Sequence, residues 1–267
     1  MSIVASVKVY DGIVLAAESM TQLFTSVGGQ AQHIKSYPNA KKLFQIEDLP
    51  IGVLTYGAGN IGNRSVESFL HEFSMNQAGN LRKGLTVAAA ANALLEFMRS
   101  YYDAGFGHVD ADKRPVMGFF VAGYSEGQHL GSEWEFSLPH ASAAVEVRPD
   151  DKLGASWRGI HVPFTRLFWG LDPRMDGILL ANGVAEDVVK RVREQARPQL
   201  MLRVPFDGMP IQDAIDFCLF IIRTTIGASR FEVGVPSCGG PIHVAVITKS
   251  DNFKWINRPE YTVNEKD

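Results

Sequence analysis

Ser2-Ile3-Val4-Ala5-Ser6-Val7-Lys8-Val9-Tyr10-Asp11-Gly12-Ile13-Val14-Leu15-Ala16-Ala17-Glu18 is the stretch that decides how this chain begins to fold. Two apolar, β-branched runs flank Asp11-Gly12, a dipeptide suited to tight hairpin turns because both residues tolerate positive φ. With those two residues in the turn, Tyr10 faces Ile13, Ala5 faces Glu18 and Ser2 faces Thr21. Glu18 then lies about three residues along from Ser2, roughly 10 Å at strand rise. Only Met1 precedes Ser2, and a small second residue permits methionine aminopeptidase to act. A serine freed in this way carries a hydroxyl nucleophile and a weak base, its own α-amine, in one residue.

Further along, Lys41-Lys42-Leu43-Phe44-Gln45-Ile46 and Ile51-Gly52-Val53-Leu54-Thr55-Tyr56 read as a second hairpin, after a polar loop over residues 26–40. Helical stripes follow at Val66, Phe69, Leu70 and Phe73, then at Val87, Ala91, Leu94, Leu95, Met98 and Tyr102. Residues 115–149 and 158–170 read as strands, residues 176–196 and 209–227 as helices, and residues 242–248 with 253–256 as a closing strand pair. Strands, two helices, strands, two helices, strands is neither βαβ alternation nor an all-β pattern. It predicts an α+β fold: a four-layer αββα sandwich of two antiparallel sheets flanked by helix pairs. With no repeat or linker, residues 1–267 read as a single domain.

The 267 residues are 46% apolar and 21% charged, ordinary for a globular protein with a sizeable core. A net charge of −3 gives no electrostatic reason to expect nucleic acid or an anionic membrane as partner. Cys218 and Cys238 are too few for a disulfide framework. No apolar run reaches membrane-spanning length and no signal peptide is recognisable, so a soluble cytoplasmic protein is expected. The seven histidines are scattered without ligand spacing, which implies no metal site. Cys238, beside Gly239-Gly240, reads as a buried inert thiol rather than a reactive one.

Two motifs point elsewhere. Gly123-Tyr124-Ser125-Glu126-Gly127 matches the G-x-S-x-G nucleophile elbow, but that elbow needs a strand before it and a helix after it. Here the flanking residues 117–122 and 128–138 are both strand-like, so the motif reads as a hairpin turn. Gly57-Ala58-Gly59-Asn60-Ile61-Gly62 matches G-x-G-x-x-G after a strand and before a helix. The next element is a second helix instead of a parallel strand, so a nicotinamide- or flavin-dependent oxidoreductase is the third choice.

Taken together, Ser2 to Glu18, Lys41 to Ile46, Gly52 to Gly57 and the late run Gly239-Gly240-Pro241-Ile242-His243-Val244-Ala245-Val246-Ile247-Thr248-Lys249-Ser250 resemble the proteasome β-subunit family. The likeness includes bacterial homologues whose only pro-segment is methionine. It implies an N-terminal-nucleophile amide hydrolase acting on peptides or unfolded proteins inside a homo-oligomeric ring, with an ATP-dependent unfoldase as a possible partner. No metal or organic cofactor is implied. By the same resemblance Ser2 stands where the family's nucleophile is, usually threonine. Glu18 stands at its acidic residue, Lys42 at its active-site lysine, and Gly57 at the glycine whose N–H stabilises the oxyanion.

The chain departs from the pattern in three places. The family's aspartate and serines before the late Gly-Gly have only Glu232 and Ser237 as weaker counterparts. The serine of a G-S-G turn is replaced at Trp169-Gly170-Leu171, and the arginine two places after the acidic residue is Met20. These departures leave a different kind of molecule as the alternative: a catalytically silent ring or scaffold subunit.

Overall fold

The computed structural model describes residues 2–28, 30–149 and 151–261. Apolar at nearly every position, Ile3–Val9 (β1) and Gly12–Glu18 (β2) must be covered on both faces, and both strands are buried throughout. Odd-numbered β1 residues Ile3, Ala5, Val7 and Val9 meet a helical layer, whereas Val4 faces a second sheet. In β2 the parity reverses: Val14 and Ala16 face the helices, while Ile13, Leu15 and Ala17 face the other sheet.

The first sheet is completed by Gly154–Gly159 (β12), Ile242–Thr248 (β13) and Asn252–Asn257 (β14), in the order β12-β1-β2-β13-β14. The second contains Leu43–Gln45 (β5), Ile51–Gly57 (β6), Met117–Gly123 (β9), Ser132–Leu138 (β10) and Val145–Arg148 (β11), in the order β11-β10-β9-β6-β5. Their pairings are antiparallel. Leu43, Leu54, Phe120, Ala122, Ala245 and Ile247 join Val4, Ile13, Leu15 and Ala17 in the layer between the sheets. Outside the second sheet lie Val66–Leu81 (α1) and Val87–Phe106 (α2), whose expected stripes are buried. Outside the first lie Val162–Trp169 (α3) and Ile211–Phe231 (α6), through Phe164, Phe168, Ile215, Cys218 and Ile222. The four-layer αββα arrangement is therefore present.

Four local expectations are corrected. The first hairpin turns at Tyr10-Asp11, not Asp11-Gly12, so Val9 faces Gly12 and Val4 faces Ala17. The polar stretch 26–40 is largely a separate two-stranded hairpin, Thr21–Val27 (β3) with Gln30–Tyr37 (β4). Of residues 158–170, only the first two belong to a strand; Pro163 stands in the first turn of α3, where its missing N–H costs nothing. Residues 176–196 are not one helix: Met175–Ala181 (α4) ends at Asn182, and Glu186–Leu200 (α5) follows.

The G-x-S-x-G segment is the β9–β10 connection, as expected, and Ser125 Oγ accepts a 3.0 Å hydrogen bond from Val87 N at the start of α2. The G-x-G-x-x-G segment enters a small hairpin, Asn60–Ile61 (β7) with Arg64–Ser65 (β8), before α1 and then α2. No helix among the described residues is long and apolar enough to cross a membrane.

Candidate active site

The corrected register brings Glu18 closer to the chain start than the sequence implies. Carried two residues past Val4–Ala17, it sets Ile3 against Glu18 and Ser2 against Ser19. Glu18 is thus displaced by one strand residue, about 3.3 Å, from Ser2's cross-strand position. Ser2 is itself buried, and its carbonyl accepts a 2.7 Å bond from Ile160 N on the strand's other side. Removal of Met1 concerns a residue outside the described ones.

Glu18 is fully buried, with both carboxylate oxygens occupied. Oε1 receives the Lys42 ammonium, while Oε2 accepts from Met20 N at 2.7 Å and Gly239 N at 3.0 Å. Lys42 Nζ also donates to the Met20 carbonyl. Burial pulls Lys42 below the ordinary lysine value, and attraction to Glu18 opposes that shift. Thr55 N donates to Lys42 O at 2.9 Å, and Gly57 lies two residues further along β6, exposed and at φ +88°. Ser2 and Lys42 thus immediately precede β1 and β5, while Glu18 and Gly57 close β2 and β6.

The weaker candidates separate. Glu232 is an exposed C-cap of α6 and makes no hydrogen bond or ion pair with this cluster among the described residues. Ser237 is half-buried; its N–H donates to Ser229 Oγ at 2.8 Å and the two hydroxyls lie 2.9 Å apart. Ser237 precedes Cys238, whose thiol burial and the Glu18 charge push up to about 11, so it stays protonated at neutral pH. Trp169-Gly170 ends α3 and packs on Leu200; the turn that touches Ser2 is Gly159-Ile160-His161 instead.

Sequence reasoning missed Ser19, Ser229 and His243. Only the Gly239-Gly240 pair hinted that this loop returns to Glu18. His243 pairs with Ala17, is buried, and leaves Nδ1 without a partner among the described residues. Burial lowers its proton affinity first, then the charges of Lys41 and Lys42. An imidazole held neutral in the fold but free to protonate when unfolded loses stability as pH falls through about 6.5. His243→Asn should therefore show a shallower fall in melting temperature between pH 7 and pH 5 than the parent chain. An identical slope would remove His243 from the acid sensitivity.

A cleft of about 940 Å³ lies beside the site and is lined by Lys41, Glu67, His71, Arg258 and Tyr261 among others. Ser2, Glu18 and Lys42 are not among the residues that line it. Among the described residues no group of three or more His, Cys, Asp or Glu side chains could hold a metal.

The fold has solved counterparts. The chain has the fold of Anbu. An Anbu mutant from Hyphomicrobium sp. strain MC1 superposes with a TM-score of 0.53 at 14% identity, over 96% of this chain and 86% of that one. An Anbu complex from Pseudomonas aeruginosa, solved as a helical assembly, gives 0.53 at 16% identity, over 99% and 88%. At such identities the likeness is one of fold. No family model matches the chain, and no curated protein matches it in sequence.

Proposed function

We propose that this chain is a single-domain N-terminal-nucleophile amide hydrolase, a proteasome-like peptidase working from Ser2 once Met1 is removed. The observation that carries the reading is the fully buried Glu18 carboxylate, paired with Lys42 one strand residue from Ser2's cross-strand position. An ammonium has three N–H donors; Glu18 and Met20 O take two, and in the proposed reaction the third is turned to the Ser2 hydroxyl.

In the proposed reaction the Ser2 hydroxyl attacks a peptide carbonyl and passes its proton to the Ser2 α-amine, directly or through water. The oxyanion meets the Gly57 N–H, and Lys42 offsets the developing negative charge. The protonated α-amine then delivers the proton to the leaving amine, leaving an acyl-serine that water hydrolyses. The substrate class is peptides or unfolded proteins, and the site is enclosed by copies of this chain. The helical assembly of the Pseudomonas Anbu supports self-assembly without fixing a closed ring. A cytoplasmic location and an unfoldase partner belong to the same reading.

The second reading is a silent scaffold subunit. It is favoured by Met20 in place of an arginine and by a 940 Å³ cleft that excludes Ser2. Intact mass with and without a peptide epoxyketone separates the two, because that reagent needs a terminal hydroxyl and a free α-amine on one residue. Loss of methionine plus one adduct on Ser2, absent in Ser2→Ala, is the expected result. Retained Met1, or free Ser2 without adduct at high reagent excess, selects the scaffold.

A further inference from the structure

Immediately after Glu18 the chain places a serine with no exposure at all, opposite Ser2 when the β1–β2 register is continued. Ser19 Oγ lies 2.6 Å from Pro38 O and 2.7 Å from Pro241 O. Both are carbonyl oxygens and can only accept, so one hydroxyl proton is shared between two chain segments. The backbone of Ser19 repeats the pattern: its N–H donates to Gly239 O at 3.1 Å, and its carbonyl accepts from Ala40 N at 2.7 Å. Two of these contacts hold residues 38–40, which lead directly into Lys42. The other two hold residues 239–241, whose Gly239 N–H donates to Glu18 Oε2.

We infer that Ser19 is a positioning residue of the candidate site, its hydroxyl clamping the Lys42 segment and the Gly239 segment onto the end of β2. The inference rests on the proposed hydrolase for its catalytic consequence, but not for its geometry. The backbone contacts would survive any substitution but proline; the hydroxyl is the part that serine supplies. Without it, the Pro38 and Pro241 carbonyls lose the donor that ties them to buried Ser19, and Lys42 is held against Glu18 less closely. A positioning error of this kind acts on the reaction rate rather than on reagent binding.

Two measurements test it. In the otherwise unmodified chain, Ser19→Ala should lower the limiting acylation rate by a peptide epoxyketone by roughly 10- to 100-fold. The half-saturating reagent concentration should change little, and Ser19→Thr should recover most of the rate. In a Ser2→Ala background, where no chemistry is possible, the Lys42 side-chain titration is followed by NMR of its ε-carbon. Weakened contact with Glu18 should move its midpoint to lower pH in Ser19→Ala. Wild-type acylation together with an unmoved Lys42 midpoint in Ser19→Ala would overturn the inference, as would a rate loss matched by the unfolded fraction. If the parent chain is never acylated the hydrolase reading fails, and the Lys42 titration still decides the role of Ser19.

Discussion

Lys42→Met is expected to lower stability by about 3–5 kcal/mol and acylation by at least about 10²–10³-fold. The stability loss follows from what stays behind. Glu18 is fully buried, and its remaining donors are two backbone N–H groups on one oxygen. Without the ammonium, that carboxylate must be buried uncompensated or take a proton, and either costs free energy. The paired variant Glu18→Gln with Lys42→Met separates the two effects. Replacing both members removes the stranded charge, so most of the stability should return while acylation stays low. Denaturant melts measure the first quantity and epoxyketone labelling rates the second. Recovery of labelling in the double variant would show that Lys42 contributes only to folding.

The sandwich was legible because its central strands are apolar on both faces and its main helices carry long, regular stripes. Those features depend on local periodicity, which a sequence displays directly. The errors fall where a distant partner decides. Asp11-Gly12 resembles a turn, yet Gly12 opens β2, and glycine is needed there because a side chain would collide with Ile211 and the Ile247 carbonyl, each 2.8 Å from an added Cβ. Close packing by α6 and β13 leaves no trace in residues 2–18. The β3–β4 hairpin was hidden for the opposite reason: it joins neither main sheet, so no buried face imposes alternation on its sequence. In α3, Phe164 and Phe168 have helical spacing, but Val162, Thr165 and the aromatic residues also suit a strand.

The candidate site divides along the same line. Ser2, Glu18, Lys42 and Gly57 could be named because each sits in a stretch that resembles the proteasome β-subunits. Ser19 and the Gly239 N–H could not, since their roles exist only where three segments far apart in the chain converge. Glu232 is a weak counterpart of the family's aspartate before the late glycine pair, but α6 ends so that it faces solvent. A carboxylate within a few residues of a site in sequence is a poor guide when a helix terminus intervenes.

Gly159→Ala should be the most disruptive glycine-to-alanine change among the described residues, because the methyl would press on the backbone of the candidate nucleophile. Gly159 has φ +88°, a conformation that alanine adopts only with strain. Its added Cβ would lie 1.9 Å from the Ser2 carbonyl oxygen and 2.9 Å from the Ser2 carbonyl carbon. Neither atom belongs to a flexible side chain, so backbone must move. Either the end of β12 peels from β1, or Ser2 shifts away from Glu18 and Lys42. The first breaks the 2.7 Å bond from Ile160 N to Ser2 O; the second misplaces the hydroxyl. A displacement of about 1 Å costs on the order of 10²-fold in rate, so labelling of Ser2 should fall by at least that factor. The backbone strain adds about 1–3 kcal/mol of destabilisation. Intact-mass labelling kinetics and a thermal melt on the same preparation measure both. Gly183→Ala is the control: Gly183 also has positive φ, at +82°, but no atom lies within 4 Å of its added Cβ. It should destabilise modestly and leave labelling unchanged. Equal labelling losses in the two variants would mean that general backbone strain, and not contact with Ser2, sets the effect.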